Sequence, residues 1–190
     1  MSTIQTRRWT RLEYQKMGDA GVFLPGERVE LIDGEILEVT PQKSRHATVV
    51  TLVGDALRIA FASGFHVRIQ LPLALDPYSE PEPDVAVIVG SPRDYRESHP
   101  TSAVLVVEVA DTSLEHDRKR KGSLYARSGL SDYWVLNLLD RCLEVYRDPI
   151  PDAAAPYGWR YRTVQRFGAA DVICPIASSN ARVRVEDLLP

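Results

Sequence analysis

The chain has 190 residues, a formal net charge of −3, 44% hydrophobic and 26% charged residues, and two cysteines. That length suits one domain, residues 1–190, with a sizeable core. The mildly acidic balance excludes the strongly basic class of nucleic-acid-coating proteins and leaves only a local basic patch for a polyanion. Cys142 and Cys174 show no CxxC or ligand spacing, which argues against structural zinc or a disulfide framework. Met1 to Thr10 contain no apolar signal-peptide core, and no run approaches the ~18 apolar residues of a membrane span. The expectation is a soluble protein of a reducing, cytoplasmic compartment.

In chain order, Thr10-Arg-Leu-Glu13 fits a capping box and predicts a short helix to Met17-Gly18. Asp33-Gly34 between two apolar-rich runs predicts a hairpin, because a type I′ turn needs positive φ at both centres. Counting outward pairs Ile32 with Glu35 and Glu30 with Leu37, which sets Glu30 on a half-apolar face. Val49, Val50, Leu52, Val53, Ala56, Leu57 and Ala60 recur at helical spacing and predict a helix over 46–62, stopped by Gly64 and laid on a sheet. Val67 to Leu75 alternate like a half-buried strand, with Pro72 marking an edge or the end of regular pairing.

Two short β-branched runs follow, Val85 to Val89 and Val104 to Val109, and each reads as a buried strand. The loop between them suits an antiparallel return. Adjacent strands lie ~4.8 Å apart, so Asp84 at the start of one would sit beside Glu108 near the end of the other. Thr112-Ser-Leu-Glu115 fits a second capping box and opens a predicted helix to Ser128, with Gly129 as its stop. On it Asp117, Lys121 and Tyr125 share a face at i,i+4 spacing. Tyr133 to Asn137 and Leu143 to Tyr146 predict a hairpin, 148–158 a loop, and Trp159 to Phe167 a last long strand. The order gives an α/β (α+β) fold.

Asp84 and Glu108 are the candidates for the chemistry, Asp84 being either a turn acid of Pro81-Glu-Pro-Asp84 or a functional carboxylate. A carboxylate inside an apolar strand needs its desolvation offset, either by a structural salt bridge or by a metal ion. Mg²⁺ takes oxygen ligands and usually one or two protein carboxylates, which suits such a pair. Lys121 would then orient water or steady developing negative charge; the bland alternative makes Arg118 to Lys121 a solvated helix face. Glu30 is either a further acid of the site or a solvated edge residue, and His46 either structural or part of the site. No nucleophile elbow, glycine-rich phosphate loop or histidine ligand spacing is present.

Taken together, Glu30-Leu-Ile-Asp-Gly-Glu-Ile, His46, Pro83-Asp84-Val, Val107-Glu108-Val, Asp117, Lys121, Tyr125, Gly129 and Tyr133-Trp134 resemble, in order, the Uma-two family of restriction endonuclease-like proteins within the PD-(D/E)XK nuclease superfamily. The resemblance covers residues 10–148 and leaves 149–190 as a C-terminal loop and short strands. It implies a restriction-endonuclease-like core, a mixed central sheet flanked by helices. It also implies Mg²⁺ or Mn²⁺ held by Asp84, Glu108 and the backbone carbonyl of Val109, with Lys121 and Glu30 completing the catalytic set. DNA is the implied substrate, and a homodimer is implied because cutting both strands often uses two sites. The chain departs at Ala110, where the superfamily's usual pattern has a lysine two residues after the Glu; Lys121 matches a helical replacement. Three readings stay open: a metal-dependent endonuclease, a degenerate nucleic-acid-binding or interaction protein on the same scaffold, and a different metal-dependent phosphoesterase that acts on small phosphodiesters.

Overall fold

The computed structural model describes residues 5–61 and 63–190. Helix α1 (Arg11–Asp19) starts where the capping box places it. The Thr10 hydroxyl accepts from the Glu13 amide and the Glu13 carboxylate accepts from the Thr10 amide. Strands β1 (Val29–Ile32) and β2 (Glu35–Glu38) form the hairpin in the expected register, Ile32 opposite Glu35 and Glu30 opposite Leu37. Asp33 and Gly34 take φ of 50° and 85°, the left-handed pair that this turn requires.

Among the described residues six strands make the central sheet, in the order β3-β4-β5-β6-β7-β8. They are β3 (Phe65–Ile69), β4 (Val85–Val89), β5 (Leu105–Ala110), β6 (Asp132–Asn137), β7 (Cys142–Pro151) and β8 (Trp159–Phe167). Every neighbouring pair is antiparallel except β5 and β6, which run parallel with Glu108 opposite Val135. A parallel pair needs a crossover, and the helix over residues 114–127 supplies it. Two further short strands, β9 (Val172–Ile173) and β10 (Val183–Arg184), pair with each other.

Alternation along β4 and β5 divides the core into two layers. Val85, Val87, Leu105, Val107 and Val109 pack with α2 (Ser44–Ala60) and the C-terminal segment, whereas Ala86, Val106 and Ala110 pack under Tyr125 and Ala126. Glu108, between Val106 and Ala110, therefore points to the layer covered by the crossover helix.

Several expectations are corrected. Helix α2 begins at Ser44, two residues early, and ends at Ala60, so Gly64 stands in the turn before β3 rather than at the helix end; Ala62 lies outside the described residues. The alternation from Leu71 to Leu75 does not make a strand, because Gln70 takes a φ of 51° and Pro72 lacks a donor, so β3 stops at Ile69 as the edge of the sheet. The second capping box does not form: the helix starts at Leu114, and the Ser113 hydroxyl donates to the Asp117 carboxylate instead. Strand β7 continues through the expected loop to Pro151, pairing Pro149 with Tyr161.

The crossover helix itself changes pitch. Its first turn, Leu114–His116, and its last part, Gly122–Arg127, are α-helical, while Asp117–Lys121 forms a π-turn. The Gly122 amide donates to the Asp117 carbonyl five residues back, and the Tyr133 hydroxyl donates to the same carbonyl at 2.9 Å. Such turns are found frequently at functional sites.

Candidate active site

Asp84 and Glu108 meet as the β4–β5 pairing requires. Val85 lies opposite Val107, and the next step of the register brings the Asp84 amide to 3.3 Å from Glu108 Oε2. Asp84 is held from all sides. Its Oδ2 accepts the Val109 amide at 2.8 Å, and its Oδ1 faces His46 Nε2 at 3.0 Å, Gln70 Nε2 at 3.2 Å and Gln42 Nε2 at 3.3 Å.

Lys121 reaches the acids from the π-turn. Its Nζ lies 3.1 Å from Glu108 Oε1 and 3.4 Å from Glu30 Oε2, and the Tyr125 hydroxyl donates to Glu108 Oε1 at 2.9 Å. Glu30 is 4% exposed and Lys121 7%, which removes the solvated reading of each. The basic run is not one face. Arg118 pairs with buried Glu144, Lys119 with Glu115 at the surface and Arg120 with Glu35, and only Lys121 enters the site. Glu30, Asp84, Glu108 and Lys121 line a cavity of about 480 Å³ together with Arg28, Lys43, His46, Val109, His116, Asp117 and Arg120.

The structure therefore brings Glu30, Asp84, Glu108 and Lys121 together, and His46 joins them through Asp84. Sequence reasoning missed Gln42 and Gln70: Gln42 carries no periodic or motif signal, and Gln70 reads only as a polar member of the alternating run before Pro72. Asp117, on the same helix face as Lys121, accepts the Ser113 hydroxyl at 2.6 Å. Among the described residues, no helix is long and apolar enough to cross a membrane.

The family model described as "Uma2: Putative restriction endonuclease" matches residues 12–176. The chain belongs to the Uma2 family. A crystal structure titled as a putative nuclease belonging to DUF820, from Anabaena variabilis, matches with a TM-score of 0.69 at 15% identity, covering 94% of this chain and 96% of that one. At that identity the likeness speaks for the fold, and the six-stranded mixed sheet agrees with it. No curated protein matches the chain.

Electrostatics in this Uma2 chain are set by four carboxylates around one ammonium. Burial pushes the Glu108 carboxyl up to about 8; Lys121 pulls it back, and Asp84, Asp117 and Glu30 add to the rise. Burial likewise raises Asp117 to about 6, against the pull of Lys121 and Ser113. Burial acts to discharge Lys121, but the combined field of Glu108, Glu30, Asp117 and Asp84 outweighs it and holds the ammonium well above its usual range. His116, in the cavity wall, is lowered to about 4 by burial and by the charges of Lys121 and Arg120.

Proposed function

We propose that the protein is a Mg²⁺- or Mn²⁺-dependent endonuclease that hydrolyses phosphodiester bonds of DNA. One observation carries the reading: two carboxylates, Asp84 just ahead of β4 and Glu108 on β5, adjoin in the lining of a cavity with the Lys121 ammonium 3.1 Å from one of them. Membership of a family described as "Putative restriction endonuclease" supports it.

The donor set fits a hard cation. Among the described residues no group of three or more His, Cys, Asp or Glu side chains is arranged to hold a metal ion, so a cation here rests on the Asp84 and Glu108 pair. Mg²⁺ asks less of the protein, one or two carboxylates with waters and substrate phosphate completing its shell. Asp84 and Glu108 would hold it, with the Val109 carbonyl as the third protein oxygen. When bound, the ion supplies Lewis-acid polarisation of the phosphodiester and a water of lowered pKa.

The chain's own residues divide the remaining work. The Val109 amide and the His46 ring fix the orientation of the Asp84 carboxylate. Lys121, held charged, is no base; it offers positive charge and donor hydrogens to phosphoryl oxygens as negative charge develops. Glu30 and Tyr125 locate Lys121 and Glu108 respectively. Of the cations lining the cavity, Lys43 offers a contact for a flanking phosphate, and Arg28 and Arg120 do so on leaving Glu82 and Glu35. A homodimer presenting two such sites to the two strands, in the cytoplasm, belongs to the same proposal, and sedimentation tests the dimer.

Incubating duplex DNA with the protein and Mg²⁺ or Mn²⁺ tests the reading. Cleavage is expected, with its loss in Asp84→Ala and Glu108→Ala; cleavage unchanged in both variants overturns it. The second reading, a degenerate binder, is favoured by Ala110 in place of the strand lysine. It predicts DNA binding without any Mn²⁺ uptake that depends on Asp84.

A further inference from the structure

Asp84 Oδ1 faces three donors at 3.0 to 3.3 Å. A carboxylate oxygen offers two lone-pair sites, so three hydrogen bonds overfill it. A cation arriving at this oxygen displaces at least one donor, and the mounting of each decides which.

Gln70 is tied at both ends. Its backbone amide donates to the Asp84 carbonyl at 3.1 Å, and its main chain is held at a φ of 51°, a left-handed conformation that a residue with a side chain adopts at a cost. It does not line the cavity. His46 stands in the first turn of α2 and makes the shortest contact of the three. Gln42 differs on each count. It lies outside helix and strand, makes the longest contact, and lines the cavity. A side-chain amide carries a donor and an acceptor on one rotating group, and a half-turn replaces its NH₂ with its carbonyl oxygen.

We infer that Gln42 is a further ligand of the divalent cation: its NH₂ holds Asp84 in the ion-free protein, and its carbonyl oxygen turns onto the ion when one binds. The inference rests on the proposed function and deepens it, adding a neutral hard oxygen of the kind Mg²⁺ and Mn²⁺ accept. The loop ahead of α2 thereby becomes a part of the site that responds to its occupant.

Mn²⁺ titration of the whole chain tests it, with Asp84→Asn as the control for the site. A ligand at Gln42 predicts that Gln42→Ala weakens Mn²⁺ binding by about tenfold, that Gln42→Glu binds at least as tightly as wild type, and that Mn²⁺ electron paramagnetic resonance in ¹⁷O-water shows one more bound water in Gln42→Ala. A Gln42 that merely competes for Oδ1 predicts the opposite sign: Gln42→Ala binds Mn²⁺ as tightly or more tightly, with no added water. That result overturns the inference and leaves the Asp84 site standing. Wild-type protein that shows no Mn²⁺ uptake sensitive to Asp84→Asn removes the cation site itself, and the inference falls with it. Gln42→Met keeps the side-chain length without either amide atom and repeats the sign test where alanine disturbs the segment; melting temperatures in chelator confirm that each variant is folded.

Discussion

Lys121 Nζ and Tyr125 Oη converge on one oxygen of Glu108, at 3.1 and 2.9 Å, although both come from the crossover helix and Glu108 from the strand beneath it. The acid is 2% exposed, so these two donors replace the solvent it lost. Removing the ammonium leaves Glu108 and Glu30 facing each other in the interior. Lys121→Met should therefore abolish cleavage and lower stability, most above pH about 8, where Glu108 is ionised and the pair is charged, towards the roughly 3–5 kcal/mol of a broken buried ion pair. Adding Glu108→Gln removes the orphaned charge and should restore much of that stability without restoring activity. Denaturant titration of the two variants checks the difference, and equal stabilities would contradict the pairing.

The metal-free protein should lose stability as pH rises from about 4 to about 8. Glu108 and Asp117 have folded pKa values of about 8 and about 6, above their ordinary 4.5 and 3.8. The folded state keeps these protons in a window where the unfolded chain has released them, so stability is full below the ordinary values and falls as pH climbs to the folded ones. Lys121, raised from 10.5, stays charged in both states across this window and adds no slope. The slope approaches ~1.4 kcal/mol per pH unit for each group in its own range. Melting temperatures in chelator measure it, and Glu108→Gln should flatten the curve between pH 6 and 8.

The four basic residues of 118–121 should respond very differently to truncation. Arg118 donates through two nitrogens to Glu144, which is 2% exposed and also takes Asn137 and the Tyr146 hydroxyl. This network fastens the π-turn to β7. Arg118→Met should cost roughly 3–5 kcal/mol and should lower activity as well, by loosening the turn that carries Lys121. Among the described residues Lys119 pairs with Glu115 alone, at the surface, and Lys119→Met should fall within about 0.5 kcal/mol of wild type. Similar losses in the two variants would return the run to the status of a uniform surface face.

The legible parts of this molecule are those fixed by local chemistry. Asp33-Gly34 dictates its turn, the turn dictates the register of Glu30, and alternation in two short apolar runs is enough to bring Asp84 beside Glu108. What stayed hidden depends on partners far along the chain. The Asp117–Lys121 π-turn is held by Tyr133 and by the Arg118–Glu144 pair, neither of which marks the helix sequence. Gln42 and Gln70 reach Asp84 from irregular segments, where no period exists to read. The failed capping box has a similar cause, since the Ser113 hydroxyl is drawn to the Asp117 carboxylate once that acid is buried.

Ala110 decides the last prediction. It stands two residues after Glu108 on the same face, is fully buried, and packs in the apolar cluster with Val106, Tyr125 and Tyr133. A lysine there would have to thread beneath the crossover helix, past a tyrosine already bonded to Glu108. Overpacking a filled core costs about 1–3 kcal/mol, and an ammonium among apolar side chains adds to it. Ala110→Lys should lower the melting temperature by several degrees, at about 2–4 °C per kcal/mol for a chain of this size. Combined with Lys121→Met, it should fail to restore cleavage, because the site takes its positive charge from the helix. Recovered cleavage in Ala110→Lys/Lys121→Met would show that the strand position remains competent and that the helical route is not required.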